Sequence, residues 1–240
     1  MSDPGNVHFV EGLPQRASGP PLQQAILGSG HYLAEEFRFL ASKAASLGTE
    51  RFTTIGIVSA GPQDGKTTVA IGLAAALARA STHRVMLLEA DLRQPCIERY
   101  LGLPRTSGVA EWLAGRSSSI PVRTVSPPGF SVISGGRERL TRPELLGSQR
   151  MASLIGACQL SYGFIVVDCP PLDPVADAVA IQDLLDGFLL VVRARGVSRE
   201  ATERALGRLK ANRVQGIVFN GQPSILPRRY GPHYTRYTTQ

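Results

Sequence analysis

Ala60-Gly61-Pro62-Gln63-Asp64-Gly65-Lys66-Thr67-Thr68 is the stretch of this chain best equipped for chemistry. Its glycines free the backbone to present N–H groups, its lysine brings a cation, and its paired threonines bring hydroxyls. The spacing is that of a Walker A loop, G-x-x-x-x-G-K-[ST], with Ala60 at the first glycine position and Gly61 one place later. In such a loop backbone N–H groups wrap phosphates, Lys66 reaches the β and γ oxygens, and Thr67 ligates Mg²⁺. Ala60, Gly61, Gln63, Asp64, Gly65, Lys66, Thr67 and Thr68 are therefore the candidate nucleotide-binding residues. The lysine is informative in itself. Only Lys43, Lys66 and Lys210 of the 26 basic residues are lysines, and a chain that otherwise uses arginine has kept one here.

A nucleotide site also needs acidic groups for its metal, at the carboxyl ends of neighbouring strands. Phe164-Ile165-Val166-Val167-Asp168 is an apolar run ending in a carboxylate, the Walker B arrangement. A second run, 85–88, leads into Glu89-Ala90-Asp91-Leu92-Arg93, whose two carboxylates an extended backbone turns to the same side. A single apolar run ending in Asp is weak, because strand ends commonly expose a polar residue. Three such elements in this order are a strong signal, and they make Thr67, Asp91 and Asp168 the expected metal ligands.

The elements that must position these groups are legible in outline. Apolar runs at 54–58, 85–88, 130–133, 164–167, 188–192 and 217–219 mostly lack polar alternation, as strands buried on both faces do. Helical patterns lie between them, at 67–80, 109–113, 143–160, 175–185 and 198–211, and Trp112 reads as a core residue of the second. Alternating strands and helices predict an α/β fold: one doubly wound, mostly parallel sheet of P-loop NTPase architecture. Apolar residues three and four apart predict a further helix over 31–47. Prolines and glycines break any period in 1–30 and 222–240, so both are expected to be flexible tails around a single domain at 31–221.

Composition narrows the function classes. A chain of 240 residues that is 43% hydrophobic and 19% charged is globular. No apolar run approaches the ~18–20 residues of a membrane span, and the N-terminus has no signal-peptide character. The net charge of +7 comes from arginines scattered along the chain and not gathered in a stripe, so no nucleic-acid partner is expected. Cys96, Cys158 and Cys169 form no C-x-x-C pair and read as buried free thiols in a reducing, cytoplasmic setting. The four histidines lack ligand spacing. Asp173 and Asp177 follow the Walker B strand, where helix capping and a place near the γ-phosphate are both open.

The Glu-x-Asp-x-Arg at 89–93 resembles the extra Walker A′ motif of the bacterial tyrosine kinases of capsule and exopolysaccharide synthesis, with Glu89 in place of their usual first Asp. Glu35-Glu36-Phe37-Arg38 is similar to their self-association helix, E-x-x-R-x-x-R, although Ala41 stands at the second arginine. Arg142-Pro143-Glu144-Leu145-Leu146, Asp168-Cys169-Pro170-Pro171 and the 186–193 segment also resemble that family. So does the end of the chain, where Tyr230, Tyr234 and Tyr237 match a tyrosine-rich tail phosphorylated in trans. Six tyrosines in 240 residues would place about 0.3 in the last eleven positions, yet three are there.

The resemblance implies an ATP- and Mg²⁺-dependent protein-tyrosine autokinase whose catalytic residues are Lys66, Glu89, Asp91 and Asp168. Glu89 would accept the tyrosine proton, Asp91 would act near Mg²⁺, and Asn220 would contact adenine, unless it is simply a turn residue. It also implies a homo-oligomer, in the family a ring, and a transmembrane polysaccharide chain-length regulator as activator. That co-polymerase would recruit a cytoplasmic kinase to the inner face of the plasma membrane. Two alternatives stay open. A regulatory pseudokinase would bind ATP and gate export, and Glu89 keeps that reading alive. A MinD/ParA-type positioning ATPase would carry a signature lysine where this chain has Gly61.

Overall fold

The computed structural model describes residues 7–12, 26, 32–46, 53–140, 142–173 and 177–221. Their strands are β1 (His8–Glu11), β2 (Thr53–Ser59), β3 (Val85–Glu89), β4 (Ser119–Val125), β5 (Phe130–Ile133), β6 (Phe164–Asp168), β7 (Gly187–Arg193) and β8 (Val214–Asn220). They form one sheet in the order β1-β4-β5-β3-β6-β2-β7-β8. Every pairing is parallel except β4 with β5. The helices are α1 (Tyr32–Ala45), α2 (Lys66–Ala80), α3 (Ile97–Leu101), α4 (Val109–Leu113), α5 (Gln149–Gln159), α6 (Asp177–Ala180) and α7 (Arg199–Leu206).

Alternate residues of the central strands feed two cores, one on each side of the sheet. Met86, Leu88, Ile165, Val167, Phe188 and Leu190 pack with Trp112, Met151, Leu154 and Ile155. Their neighbours Leu87, Val166, Leu189 and Val191 pack with Ile71, Leu73 and Leu77 of α2. Burial on both faces is why these runs lack polar alternation. Truncating a fully buried side chain such as Leu73 to alanine removes about 2–5 kcal/mol. Over α2 lies α1, whose Leu33, Phe37 and Leu40 are partly buried against the second core. Gly72 permits that contact, since a Cβ there would fall 2.3 Å from the Phe37 ring.

Three expectations need correction. The stretch 1–30 is not wholly a tail, because β1 adds a parallel edge strand to β4 and Ile26 is buried. The 143–160 pattern is two elements: a 3₁₀ turn at Pro143–Gly147, then α5, which restarts where the Ser148 hydroxyl accepts the Met151 N–H at 3.4 Å. The 175–185 pattern contains only the short α6 and a 3₁₀ turn at Gln182–Leu184. Strand β4 and helix α3 were not anticipated at all. The 222–240 segment, with Tyr230, Tyr234 and Tyr237, lies outside the described residues.

Candidate nucleotide and metal site

The candidate groups gather at the carboxyl ends of β3, β6 and β2, which are adjacent in the sheet. The parallel register sets Asp168 beside Ile57 of β2 on one side and Glu89 of β3 on the other. The loop leaving β2 is braced by its own atoms. Ser59 Oγ donates to Gly61 O at 2.5 Å, and Gly61 N–H donates to Asp64 Oδ2 at 3.1 Å. Gly65 starts α2 at φ +98°, a left-handed conformation that favours glycine. Asp64 and Lys66 are both buried, and Gln63 also has positive φ.

Asn220, at the end of β8, closes over this loop. Its Nδ2 donates to Asp64 O at 2.8 Å, and its amide lies so close to Gly65 that a Cβ there would sit 2.0 Å from Nδ2. Asn220 therefore holds the phosphate loop directly, a contact that links the far side of the sheet to the site.

Asp168 has a metal ligand's surroundings. It is 1% exposed, its Oδ2 accepts from Thr67 Oγ1 at 2.7 Å, and its Oδ1 is buried without a hydrogen-bond partner. A buried carboxylate oxygen left unpaired is costly unless something else satisfies it. Burial pushes Asp168 up to about 8; Glu89 and Asp91 add to the rise, while Thr67 and Lys66 oppose it. A hydroxyl and an unpaired carboxylate are hard oxygen donors of the kind Mg²⁺ takes, so Thr67 and Asp168 fit that ion.

Glu89 has a different environment from the one expected of a base. Its Oε1 accepts N–H groups of Cys96 at 2.5 Å and Ile97 at 2.8 Å, and its Oε2 accepts that of Gly135 at 2.6 Å. It is 1% exposed. The carboxylate thus ties the start of α3 to the loop after β5. Burial raises Glu89 to about 7 against the pull of those three N–H groups.

Asp91, two residues on, is only half-buried and accepts Gln94 N–H at 3.2 Å. Burial raises its pKa, with Lys66 the strongest opposing influence. The remaining acidic candidates are committed elsewhere. Arg93 holds Asp177 in two hydrogen bonds of 2.6 and 3.1 Å, and Asp173 accepts Arg208 at 2.9 Å. Cys96 is the residue sequence reasoning misplaced. Cys158 and Cys169 are buried, but Cys96 is half-exposed with Sγ 3.4 Å from Thr67 Oγ1. Burial pushes its thiol up to about 12. Its position seven residues after Glu89 was the available signal, since the segment must turn back over the strand end to enter α3.

The fold and this loop define a P-loop ATPase of the MinD/ParA-like class, and the family described as ATPase MipZ matches residues 57–186. The chain is 28% identical over 207 residues to the tyrosine-protein kinase YwqD of Bacillus subtilis (strain 168), covering 85% of this chain and 87% of that one. It is 35% identical over 195 residues to the succinoglycan biosynthesis transport protein ExoP of Rhizobium meliloti (strain 1021), covering 78% of this chain. The kinase domain of the Escherichia coli tyrosine kinase ETK superposes with TM-score 0.78 at 26% identity, over 88% of this chain and 84% of that one. The chain belongs to that ATPase MipZ family, and within the class it is similar to these tyrosine-protein kinases. It spans about a quarter of the length of several curated relatives, 24% and 25% in two of them.

Proposed function

We propose that this chain is an ATP- and Mg²⁺-dependent protein-tyrosine kinase that phosphorylates Tyr230, Tyr234 and Tyr237 of a neighbouring copy. The observation that carries the reading is the paired arrangement of Thr67 and Asp168, with Asp168 Oδ1 unpartnered beside the Lys66 loop. Thr67 and Asp168 would hold Mg²⁺, which when bound neutralises phosphate charge. Backbone N–H groups of 60–68 and the Lys66 ammonium bind and orient the β and γ phosphates, and Asn220 keeps that loop in shape. A phenol of pKa near ~10 needs a proton acceptor in reach. Asp91 is that acceptor, because it is the carboxylate of the pair that remains partly open while Glu89 is enclosed by three N–H groups. The phenolic oxygen bonds to the γ-phosphorus, its proton passes to Asp91, and ADP leaves.

The relatives' names support a setting in polysaccharide synthesis and export. In this reading the chain is cytoplasmic, and a transmembrane chain-length regulator acts as activator and recruits it to the inner membrane face. No helix among the described residues is long and apolar enough to cross a membrane. Self-association into a ring would involve α1, in which the partly exposed Glu35 and Arg38 pair with each other. The test mixes a Lys66→Met chain with an active chain lacking 222–240 in Mg-ATP, followed by mass spectrometry. Phosphate on the inactive partner's tyrosines is the expected result. None on any of the three would leave an ATP-binding regulator without transfer activity.

A further inference from the structure

Cys96 introduces sulfur into a position that Mg²⁺ chemistry does not require. One ligand atom each from Glu89, Cys96 and Asp168 lies within 4.8 Å of the other two. The three come from the end of β3, the turn into α3 and the end of β6, so the set is assembled by the fold and not by one local run. Asp168 Oδ1 is independently without a partner, although the residue is 1% exposed. Glu89 accepts three N–H groups. A carboxylate has about four lone-pair positions, so one is left. Asp91 adds further negative charge nearby, against the single ammonium of Lys66.

We infer that Glu89, Cys96 and Asp168 form a site for a thiophilic divalent cation, of which Zn²⁺ is the type, and that it competes with the Mg²⁺ used with nucleotide. A mixed sulfur and oxygen donor set selects such ions over Mg²⁺, which prefers oxygen alone. Three protein ligands with an open fourth position are an ordinary Zn²⁺ arrangement, and bonds of ~2.0–2.3 Å place tetrahedral donors roughly 3.3–3.8 Å apart. The present separations, within 4.8 Å, reach that range by closing about 1–1.5 Å at most. Coordination releases the thiol proton to solvent. Because Asp168 is shared with the proposed Mg²⁺ position, and Cys96 Sγ lies 3.4 Å from the Thr67 hydroxyl of that position, the cation would act as an inhibitor. That consequence rests on the proposed nucleotide site; the binding of the cation does not.

The full chain is titrated with Co²⁺, the spectroscopic substitute for Zn²⁺, without nucleotide. A thiolate-to-cobalt charge-transfer band should appear and be displaced by Zn²⁺. In Cys96→Ser the band should vanish and Zn²⁺ affinity should fall by about tenfold or more, since even outer-shell changes cost 10–100-fold. No band in the native chain, or a band that survives Cys96→Ser, overturns the site. Should circular dichroism find that Cys96→Ser is unfolded, alkylation of the native chain mapped by mass spectrometry decides instead: Zn²⁺ must protect Cys96, and unprotected alkylation overturns the proposal. Excess Mg-ATP should displace Co²⁺. A band that persists while calorimetry records Mg-ATP binding overturns the competition, whereas calorimetry without any Mg-ATP binding, at an intact band, defeats the nucleotide reading alone.

Discussion

Glu89 and Asp168 end adjacent parallel strands, are paired in register, and are each 1% exposed. Their hydrogen bonds nonetheless divide them. Glu89 at the end of β3 is enclosed by three backbone N–H groups from two loops, whereas Asp168 at the end of β6 has one hydroxyl partner and an oxygen with none. Position at a strand end and burial do not by themselves assign a carboxylate to catalysis. The partners do. A carboxylate with most of its acceptor positions taken by backbone holds loops together, and an oxygen with no partner in a charged crevice is free to take a cation.

Neutralising each carboxylate without changing its size should separate the two most strongly. Asp168→Asn should lower tyrosine phosphorylation by about 10²–10³-fold, the range found when one preorganised electrostatic group is removed. The fold of the metal-free chain should survive, because burial already disfavours the charge that the amide removes. Glu89→Gln should keep the rate within about tenfold, while Asp91→Asn should lose 10²–10⁴-fold as the general base. Initial rates of phosphate transfer, measured at saturating Mg-ATP, distinguish these outcomes. A collapse in Glu89→Gln with an active Asp91→Asn would return the base to Glu89.

Truncation reverses the ranking. Glu89→Ala leaves the N–H groups of Cys96, Ile97 and Gly135 without acceptors. An unsatisfied buried group costs about 1–3 kcal/mol, so a destabilisation of about 3 kcal/mol or more is expected in urea unfolding. Asp168→Ala removes one bond to Thr67 and should cost about 1 kcal/mol. Equal losses in the two variants would mean that the Glu89 bonds hold nothing together.

Acidity offers a third comparison. Both carboxyls sit above their ordinary values, Glu89 at about 7 and Asp168 at about 8, chiefly through burial. A folded-state value above the unfolded one favours the fold at low pH. The contribution is complete below about pH 4 and drains away as pH rises through 7 and 8. The metal-free chain should therefore melt at lower temperature at pH 8.5 than at pH 6. Mg-nucleotide needs the ionised Asp168, so its stabilising shift should be larger at pH 8.5. A thermal-shift series with and without Mg-ATP checks both signs.

The sequence carried most of this site because phosphate chemistry restricts residue types tightly. Lys66 and Thr67 must follow a glycine-bearing turn, and Asp168 must end a buried strand. It did not carry the role of Glu89, since the three N–H groups that enclose it come from positions 96, 97 and 135 and only folding brings them together. Strand β4 escaped notice because Pro121 and Arg123 interrupt its apolar pattern, and the buried Arg123 is paired with Glu98 at 3.2 Å and donates to the Thr106 hydroxyl. Strand β1 is four residues long, with three of them exposed, so it carries almost no apolar signal. The 143–160 helix was drawn too long because Gly147 and Ser148 interrupt the backbone without interrupting the apolar spacing.

The smallest expected effect lies at a third strand end, that of β8, where Asn220 is neither enclosed like Glu89 nor left open like Asp168. Its Nδ2–H bonds Asp64 O across 156 residues of sequence and rests on Gly65. Losing one such bond from a half-buried side chain removes about 0.5–1.5 kcal/mol, or roughly a two- to tenfold loss in nucleotide affinity if the loop must be re-formed on binding. The manner of the loss matters more than its size. A residue that only braces the phosphate loop acts on the part common to all nucleotides, so Asn220→Ala should weaken ATP and GTP by the same factor. A residue that contacts adenine would weaken ATP alone and narrow the preference between them. Calorimetric affinities for both Mg-nucleotides in the native chain and in Asn220→Ala separate the two roles, and a changed ATP-to-GTP ratio would move Asn220 from the loop to the base.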